Sequence, residues 1–248
     1  MTNTVMRLHQ RNCILRESDH RYIFDPEGIA EEMAISVTGV TSFGKPPVDY
    51  SAYPEAAPRG THVHRAMEAL AWAATETDPV IYRESWERFM HEQGTTSPEG
   101  IDCSKWIEKL TTGEISTNVS MSDFWDQMQT IACEHTLVHR RKSLGGQLDL
   151  LCLYNDRVIL VDLKTKSASW KGASKDDIAS YKAQAGGYLY LLSDGDDAHG
   201  GCLVDECMTL IVTPNTVKWL PPYDPDDCYE AWETCWDKYS ASAALNPF

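Results

Sequence analysis

The sequence lacks the long apolar runs that would place it in a membrane. No stretch of its 248 residues approaches the roughly 18 consecutive apolar residues that a spanning helix needs. Its first ten residues, MTNTVMRLHQ, are polar and lack the apolar segment of a secretory signal. These absences argue against an integral membrane protein, and we expect a cytoplasmic one.

Repeats and low-complexity segments are also missing, so the sequence does not predict a solenoid. With 42% apolar residues the chain can bury a full core, and we expect one large domain or one domain with a substantial insertion. Cysteine, in contrast, is plentiful, with eight residues. Without an export signal we expect these cysteines to be reduced, with Cys133 and Cys152 packed among apolar neighbours.

Positive charge is scarce, since 22 basic residues face 37 acidic ones and the net charge is −15. This balance argues against a nucleic-acid partner, because phosphate contacts depend on Lys and Arg. The distribution is uneven, however, and residues 139–182 contain nine basic and five acidic residues. We therefore expect a locally positive surface around this stretch.

The most unusual pattern in the sequence is the stretch 145–164, GGQLDLLCLYNDRVILVDLK, which predicts a β-hairpin with two apolar strands around a polar turn. Asp149, Asp162 and Lys164 interrupt sequence that otherwise suits a buried sheet. A two-residue turn at 155–156 would pair Asp149 with Asp162, with Cβ atoms roughly 5 Å apart, and would place Lys164 on the same face. A three-residue turn would shift this pairing by one residue, so both registers remain open.

Two carboxylates at this distance can be bridged by one cation. Mg²⁺ or Mn²⁺ is the expected ion, because hard divalent ions take oxygen ligands and keep positions free for water and substrate phosphate. Such an ion lowers the pKa of a bound water and neutralises charge on a phosphoryl group during in-line attack. Lys164 could then orient or deprotonate that water, or stabilise the charge of the transition state. The alternative is a buried ion pair that only holds the strands together.

Around this hairpin the patterns predict further strands and helices. We expect strands at 20–24, 35–40, 208–212 and 217–220. We expect helices after an N-cap at Thr61, within 79–133 with the last one ending near Ala132, within 176–192, and after Asp224. His64 and Glu68 share one face of the first of these helices, because they lie four residues apart.

Five short motifs follow one another in the chain. They are Gly60-Thr61-x-x-His64, Glu134, Gly146-x-x-Asp149, Asp162-Leu163-Lys164-Thr165 and Tyr181-x-x-Gln184-x-x-x-Tyr188. Their order resembles the PD-(D/E)xK nuclease superfamily, and specifically its RecB-like branch of phage, CRISPR-associated and mitochondrial genome-maintenance exonucleases. The resemblance covers residues 58–192.

The resemblance implies an α/β fold, with a restriction-endonuclease-like α/β/α core, a mixed central sheet and a helical insertion. We therefore expect a single nuclease domain over 1–248. Its parts would be a β-rich N-terminal extension at 1–57, a core at 58–78 and 131–220, a helical insertion at 79–130 and a C-terminal helix at 221–248.

The resemblance also implies roles for individual residues. His64, Asp149, Asp162, Glu134 and the carbonyl of Leu163 would bind the metal, and Lys164 would be the catalytic lysine. Gln184 and Tyr181 would position the substrate phosphate or this lysine. The role of Glu134 is open to competition from three other acidic residues, which are Glu114, Asp123 and Asp126.

The implied function is a Mg²⁺- or Mn²⁺-dependent DNA exonuclease that acts on single strands or strand ends, in recombination, repair or phage DNA processing. The host would be a bacterium or a phage-infected cell, and a helicase or a single-strand-binding protein is a conceivable partner. The alternatives are a DNA endonuclease of the same fold and a non-catalytic nucleic-acid-binding subunit. An iron-sulfur cluster, which some relatives carry, is not expected, because Cys202, Cys207, Cys228 and Cys235 are spread too loosely.

Overall fold

In a computed structural model, a mixed sheet lies between two layers of helices. The structure describes Leu8 and residues 12–16, 19–25, 30–46, 50–73, 79–116, 119–196 and 203–245. The strands are β1 (Cys13–Arg16), β2 (Arg21–Phe24), β3 (Glu31–Glu32), β4 (Ile35–Ser36), β5 (Glu114–Ser116), β6 (Val119–Ser120), β7 (Gln129–His139), β8 (Leu144–Tyr154), β9 (Arg157–Thr165), β10 (Glu206–Val212) and β11 (Val217–Trp219). The helices are α1 (Val37–Ser42), α2 (Ala56–Ala73), α3 (Pro79–Glu92), α4 (Ser104–Thr112), α5 (Met121–Gln127), α6 (Lys175–Asp194) and α7 (Pro225–Leu245).

The central sheet has six strands. They run in the order β11-β10-β9-β8-β4, and β7 also pairs with β8. The β9–β10 and β4–β8 pairs are parallel and the others are antiparallel, so the sheet is mixed as expected. Two small sheets, β1-β2-β3 and β5-β6, lie outside it. Among the described residues, no helix is both long and apolar enough to cross a membrane.

The predicted hairpin is the pair β8–β9, and its turn has two residues. Asn155 and Asp156 have φ angles of 52° and 60°, which are the left-handed values that a tight hairpin turn requires. Pairing runs from Tyr154–Arg157 to Leu150–Val161, so the two-residue register is confirmed over this length. The strand pairing ends one step before Asp149 and Asp162.

The two strands part beyond Leu150. On the same edge of β8, β4 takes over with the parallel pairs Ile35–Leu144 and Ser36–Gly145. Between these two pairings, residues 146–149 of β8 pair with no described strand on this edge, while β7 continues on the other edge. The fork that results between β9 and β4 is the feature that positions the site.

Each face of the sheet carries its own core. The first core lies under α1, α6 and α7 and contains Leu137, Leu148, Leu151 and Trp232. The second core lies under α2, α4 and α5 and contains Val63, Cys133, Leu150 and Leu163. Because helices cover both faces, the strands can be nearly continuously apolar, and the expected α/β/α class is confirmed.

The structure describes seven cysteines, and six of them are buried. Cys133 and Cys152 belong to the second core, as expected from their apolar neighbours. Cys202 lies outside the described residues.

Two sequence-based boundaries at the N-terminal side are wrong. The helix with His64 begins at Ala56, not after an N-cap at Thr61, because Pro58 falls within the first turn, where the missing N–H has no helical partner to lose. The strand expected at 35–40 ends at Ser36. The Ser36 hydroxyl accepts a hydrogen bond from the backbone N–H of Gly39 and starts α1 there.

A third boundary is also wrong, since the helix expected to end near Ala132 ends at Gln127. The strand β7 follows at once and forms nine residue pairs with β8. This long ladder outweighs the helical preference of the local sequence, which is a weak guide where tertiary pairing competes.

The helices α6 and α7 approach so closely that glycine is required between them. A Cβ atom added to Gly186 would overlap the backbone carbonyl of Cys228, and one added to Gly187 would lie 2.5 Å from Cγ1 of Val37. In contrast, a Cβ atom on Gly60 in α2 would meet Oγ1 of Thr165 at 3.6 Å, which is an ordinary contact.

We therefore expect opposite effects from the same substitution in two helices. Gly186→Ala should destabilise the protein by about 1–3 kcal/mol, because the backbone of α7 must move. Gly60→Ala should stabilise it by up to about 1 kcal/mol, because alanine favours the helix and meets no obstacle. Urea denaturation of the two variants measures both values. Equal midpoints for Gly186→Ala and the unsubstituted protein would contradict the close approach.

Candidate metal and catalytic site

Three side chains from three elements meet at the fork. His64 of α2, Glu134 of β7 and Asp149 of β8 each offer a ligand atom, and these atoms all lie within 4.8 Å of one another. Nδ1 of His64 lies 3.2 Å from Oε1 of Glu134 and 3.5 Å from Oδ1 of Asp149. Its Nε2 lies 3.2 Å from the backbone carbonyl oxygen of Leu163. Both ring nitrogens therefore face oxygen acceptors.

These oxygen acceptors favour the protonated imidazole, because it donates a hydrogen bond from each of its two nitrogens. Burial lowers the pKa of His64, but the charges of Asp149 and Glu134 outweigh burial and raise it to about 9. In this arrangement the imidazolium supplies the positive charge that the surrounding oxygens require.

Glu134 has an unusual backbone. Its φ angle is 46°, in the left-handed region that non-glycine residues adopt at a cost of about 1–3 kcal/mol, often at functional sites. Its carbonyl oxygen accepts a hydrogen bond of 2.9 Å from Nε2 of Gln147 in β8. This bond helps to hold the strained conformation.

The strained residue coincides with a change of face in both strands. Leu148 packs in the first core and Leu150 in the second, although side chains two residues apart normally share a face. Along β7, Cys133 packs in the second core and Leu137 in the first. The distortion is what allows one carboxylate from each strand to leave the apolar cores and reach the fork.

Asp149 replaces a strand partner at the fork. It is 7% exposed, and its Oδ2 accepts a hydrogen bond of 2.6 Å from the backbone N–H of Leu163, beyond the last β8–β9 pair. Burial raises the pKa of Asp149, and the nearby carboxylate of Glu134 adds to this, whereas His64 opposes it. The carboxylate therefore fixes the backbone of β9 while it contributes to the acidic cluster.

Asp162 lies beside this cluster but outside the group of three. Its Oδ1 accepts a hydrogen bond of 2.8 Å from Nζ of Lys164, and its buried Oδ2 has no partner among the described residues. Burial raises the pKa of Asp162 to about 6, although the Lys164 ammonium opposes the shift. A buried carboxylate oxygen without a donor is costly and is well suited to a cation.

Lys164 is held by Asp162 of its own strand and by two side chains of α6. Nζ donates to Asp162 and, at 3.0 Å, to Oε1 of Gln184, whose Nε2 donates at 2.8 Å to the hydroxyl of Tyr188. Burial lowers the pKa of Lys164, but Asp162 and Asp149 outweigh it, so the pKa is raised above its usual value. The lysine is therefore a fixed positive charge at neutral pH.

Tyr181 lies on the same face of α6. The side chain is buried, and its hydroxyl has no hydrogen-bond partner among the described residues. Nζ of Lys164 and Nζ of Lys166 each lie 5.8 Å from the centre of its ring. The ring thus lies near two ammonium groups.

The structure brings together every residue that the sequence proposed for the site. His64, Glu134 and Asp149 surround one point, the Leu163 carbonyl faces the other ring nitrogen of His64, and Asp162 is joined to Gln184 through Lys164. The competitors of Glu134 lie elsewhere. Glu114 is exposed on β5, and the carboxylate of Asp123 is used in the capping box of α5.

Sequence reasoning missed Tyr22, which comes from the N-terminal strand β2. Its ring lies directly on Gly145, where a Cβ atom would overlap it. Burial raises the pKa of Tyr22 to about 12, and the charges of Asp149 and Glu134 contribute to the shift. The available signal in the sequence was the glycine at position 145, which leaves room for a neighbouring ring. It did not show that this ring belongs to Tyr22.

Three basic residues of 139–182 are paired with carboxylates. Arg140 pairs with Glu31 at 2.6 Å, Lys182 with Asp227 at 2.6 Å, and Arg157 with Glu206. Two others, Lys164 and Lys166, lie beside Tyr181.

The donor set fits a hard divalent cation. Carboxylate and carbonyl oxygens with one imidazole suit Mg²⁺ or Mn²⁺, and Oδ2 of Asp162 is a further buried carboxylate oxygen without a hydrogen-bond partner among the described residues. The site also places a fixed cation, Lys164, beside these ligands.

Known proteins resemble the chain to different degrees. No curated protein matches the chain. A solved structure described as "Crystal structure of SSO0001" is 19% identical, with a TM-score of 0.23, and the match covers 37% of this chain and 39% of that one, which is too little to support an argument. A family model described as "PD-(D/E)XK nuclease superfamily" matches residues 41–233, which include every site residue named above except Tyr22. Because this match spans most of the chain, the protein belongs to the PD-(D/E)XK nuclease superfamily.

Proposed function

We propose that the protein is a divalent-metal-dependent DNA exonuclease of the RecB-like type, which hydrolyses phosphodiester bonds of single strands or strand ends. The observation that carries the proposal is the convergence of His64, Glu134 and Asp149 within 4.8 Å beside a lysine that Asp162 and Gln184 hold in place. Metal ligands next to a fixed cation suit the hydrolysis of a phosphodiester.

The metal would be held by His64, Glu134, Asp149 and the Leu163 carbonyl, with the orphaned oxygen of Asp162 as a further ligand. When bound, such an ion polarises the phosphoryl group and lowers the pKa of an attacking water. The protein contributes a rigid frame for this chemistry, because the ligands come from three strands and a helix of the core.

Lys164 would stabilise negative charge on the phosphoryl group. Asp162 and Asp149 raise its pKa above the usual value, which favours the charged ammonium that this role needs. Gln184 and Tyr188 fix the direction of the ammonium group through two consecutive hydrogen bonds. Tyr181, next to the same lysine, would line the path of the substrate phosphate.

The preference for the ends of DNA strands rests on the order of the five motifs, which resembles the RecB-like branch. An endonuclease would use the same chemistry, so the two differ in the substrate and not in the site. A circular single strand distinguishes them, because an enzyme that requires ends leaves circles intact.

We expect Lys164→Met to lower the rate of cleavage of linear single-stranded DNA about 100- to 1000-fold in Mn²⁺, because the charge that stabilises the transition state is lost. Lys182→Met is a matched control, since it removes a surface lysine of α6 that is paired with Asp227. Circular dichroism of both variants checks folding, and EDTA should abolish the activity.

Undiminished cleavage by Lys164→Met would contradict the proposed role of the lysine. Cleavage of circular strands at the rate of linear ones would identify an endonuclease. Absence of cleavage together with absence of Mn²⁺ binding in calorimetry would favour the non-catalytic alternative.

We also expect the affinity for Mn²⁺ to rise with pH between about pH 6 and about pH 9. Below the pKa of His64, about 9, the ring is protonated, and metal binding must displace that proton. Displacement of one proton increases the affinity by up to about tenfold per pH unit. Protonation of Asp162, whose pKa is about 6, weakens binding further at the acidic end. Calorimetric titrations across this range measure the slope, and an affinity independent of pH would contradict the role of His64 as a ligand.

A further inference from the structure

A second lysine follows the catalytic one on the same strand. Lys166 lies two residues after Lys164, and its backbone N–H donates to the carbonyl of Val212 at 2.9 Å, so the pairing of β9 with β10 continues to this residue. Side chains two residues apart on a strand share a face and lie about 7 Å apart. Asp162, Lys164 and Lys166 therefore form one row that begins in the site.

Lys166 differs from its neighbours in its lack of a counter-ion. Lys164 has Asp162 at 2.8 Å and Lys182 has Asp227 at 2.6 Å. Within the part of the chain that the structure describes, no carboxylate forms an ion pair with Lys166, although the side chain is partly buried. Asp177 acts on it from farther away, but its carboxylate is bound by Ser174 in the cap of α6.

The backbone at Lys166 is fixed from the other side of the sheet. The indole N–H of Trp106 in α4 donates to the Lys166 carbonyl at 2.9 Å. The guanidinium of Arg59 in α2 lies over the Trp106 ring, 5.0 Å from its centre. Arg59 is itself under-paired, since it is 6% exposed, its Nε has no partner among the described residues, and its contact with Glu55 is 3.9 Å.

A partly buried cation without a counter-ion is unfavourable. Burial lowers the pKa of Lys166, which is the physical sign of this cost. The protein has an excess of carboxylates, with a net charge of −15. A shortage of carboxylates therefore does not explain why Lys166 has no ion-pair partner among the described residues. An anionic ligand would provide the missing charge.

We propose that Lys166 binds the phosphate next to the scissile phosphate, so that the substrate strand runs along β9 from Lys164 towards Lys166. This inference rests on the proposed function, and it specifies the substrate as a polynucleotide that presents at least two consecutive phosphates. Trp106, supported by Arg59, is a positioning residue that fixes the backbone from which Lys166 extends.

The test is the binding of a fluorescein-labelled single-stranded oligonucleotide in EDTA, measured by anisotropy over a range of salt concentrations. Each phosphate contact on single strands contributes about 0.7 to the slope of log affinity against log salt. Lys166→Gln should reduce this slope by about 0.7 and weaken binding about fivefold at 0.1 M salt. Lys166→Arg should restore both values, because it keeps the charge.

Arg157→Gln is the matched control. It removes one positive charge from the same strand but at the opposite end, where Arg157 is paired with Glu206. Its affinity and salt slope should equal those of the unsubstituted protein.

An unchanged slope for Lys166→Gln would overturn the proposal, even if its thermal stability fell, because a purely structural lysine changes stability and not the salt slope. Failure of the unsubstituted protein to bind the oligonucleotide would also overturn it. If the unsubstituted protein binds but does not cleave in Mn²⁺, the proposed nuclease activity fails while the phosphate contact at Lys166 stands.

Discussion

The hydrogen bond from the backbone N–H of Leu163 to the carboxylate of Asp149 is the interaction on which the site depends. At 2.6 Å it takes the place of a strand pairing, at the point where β9 leaves β8. A buried amide without a partner would cost free energy, and a ladder bond at this position would close the fork. The side chain of Asp149 avoids both outcomes, because it accepts the hydrogen bond of the amide and keeps the strands apart.

A fork of this kind must accommodate several acidic groups at low solvent exposure. Asp149, Asp162 and Glu134 would repel one another without compensation, and burial raises the pKa of both aspartates. The compensation comes from two cations on opposite sides of the sheet, His64 from α2 and Lys164 with its partner on α6. The two helical layers are thereby linked electrostatically through the sheet as well as by their separate apolar cores.

The sequence predicted the parts of this site that depend on local pattern. The spacing of Tyr181, Gln184 and Tyr188 placed them on one helix face, and the two-residue turn at 155–156 was one of the two hairpin turns that the sequence left open. It did not predict the left-handed backbone of Glu134, because glutamate carries no signal for that conformation. It also missed the change of face in β7 and β8, since strict alternation was the basis of the prediction.

One boundary error and one missed contact have a common physical origin. The start of β7 and the contact of Tyr22 with Gly145 both depend on chain segments that are far apart in sequence. Local propensity does not identify such partners, whereas it succeeded for α6 and for the β8–β9 hairpin, where the determining residues are neighbours. The boundaries at Ala56 and Ser36 have local causes instead, which are Pro58 in the first turn of α2 and the Ser36 cap of α1.

The pairing of β4 with β8 bears on where the chain can be truncated. The five motifs begin at Gly60, so the motifs alone suggest that the first fifty or so residues are dispensable. Yet β4 supplies the second arm of the fork, α1 packs against Gly187, and Tyr22 covers Gly145 beside the acidic cluster. The catalytic unit is therefore longer than its motif signature, and a fragment cut at the first motif would retain the reactive groups but lose the edge that holds them apart.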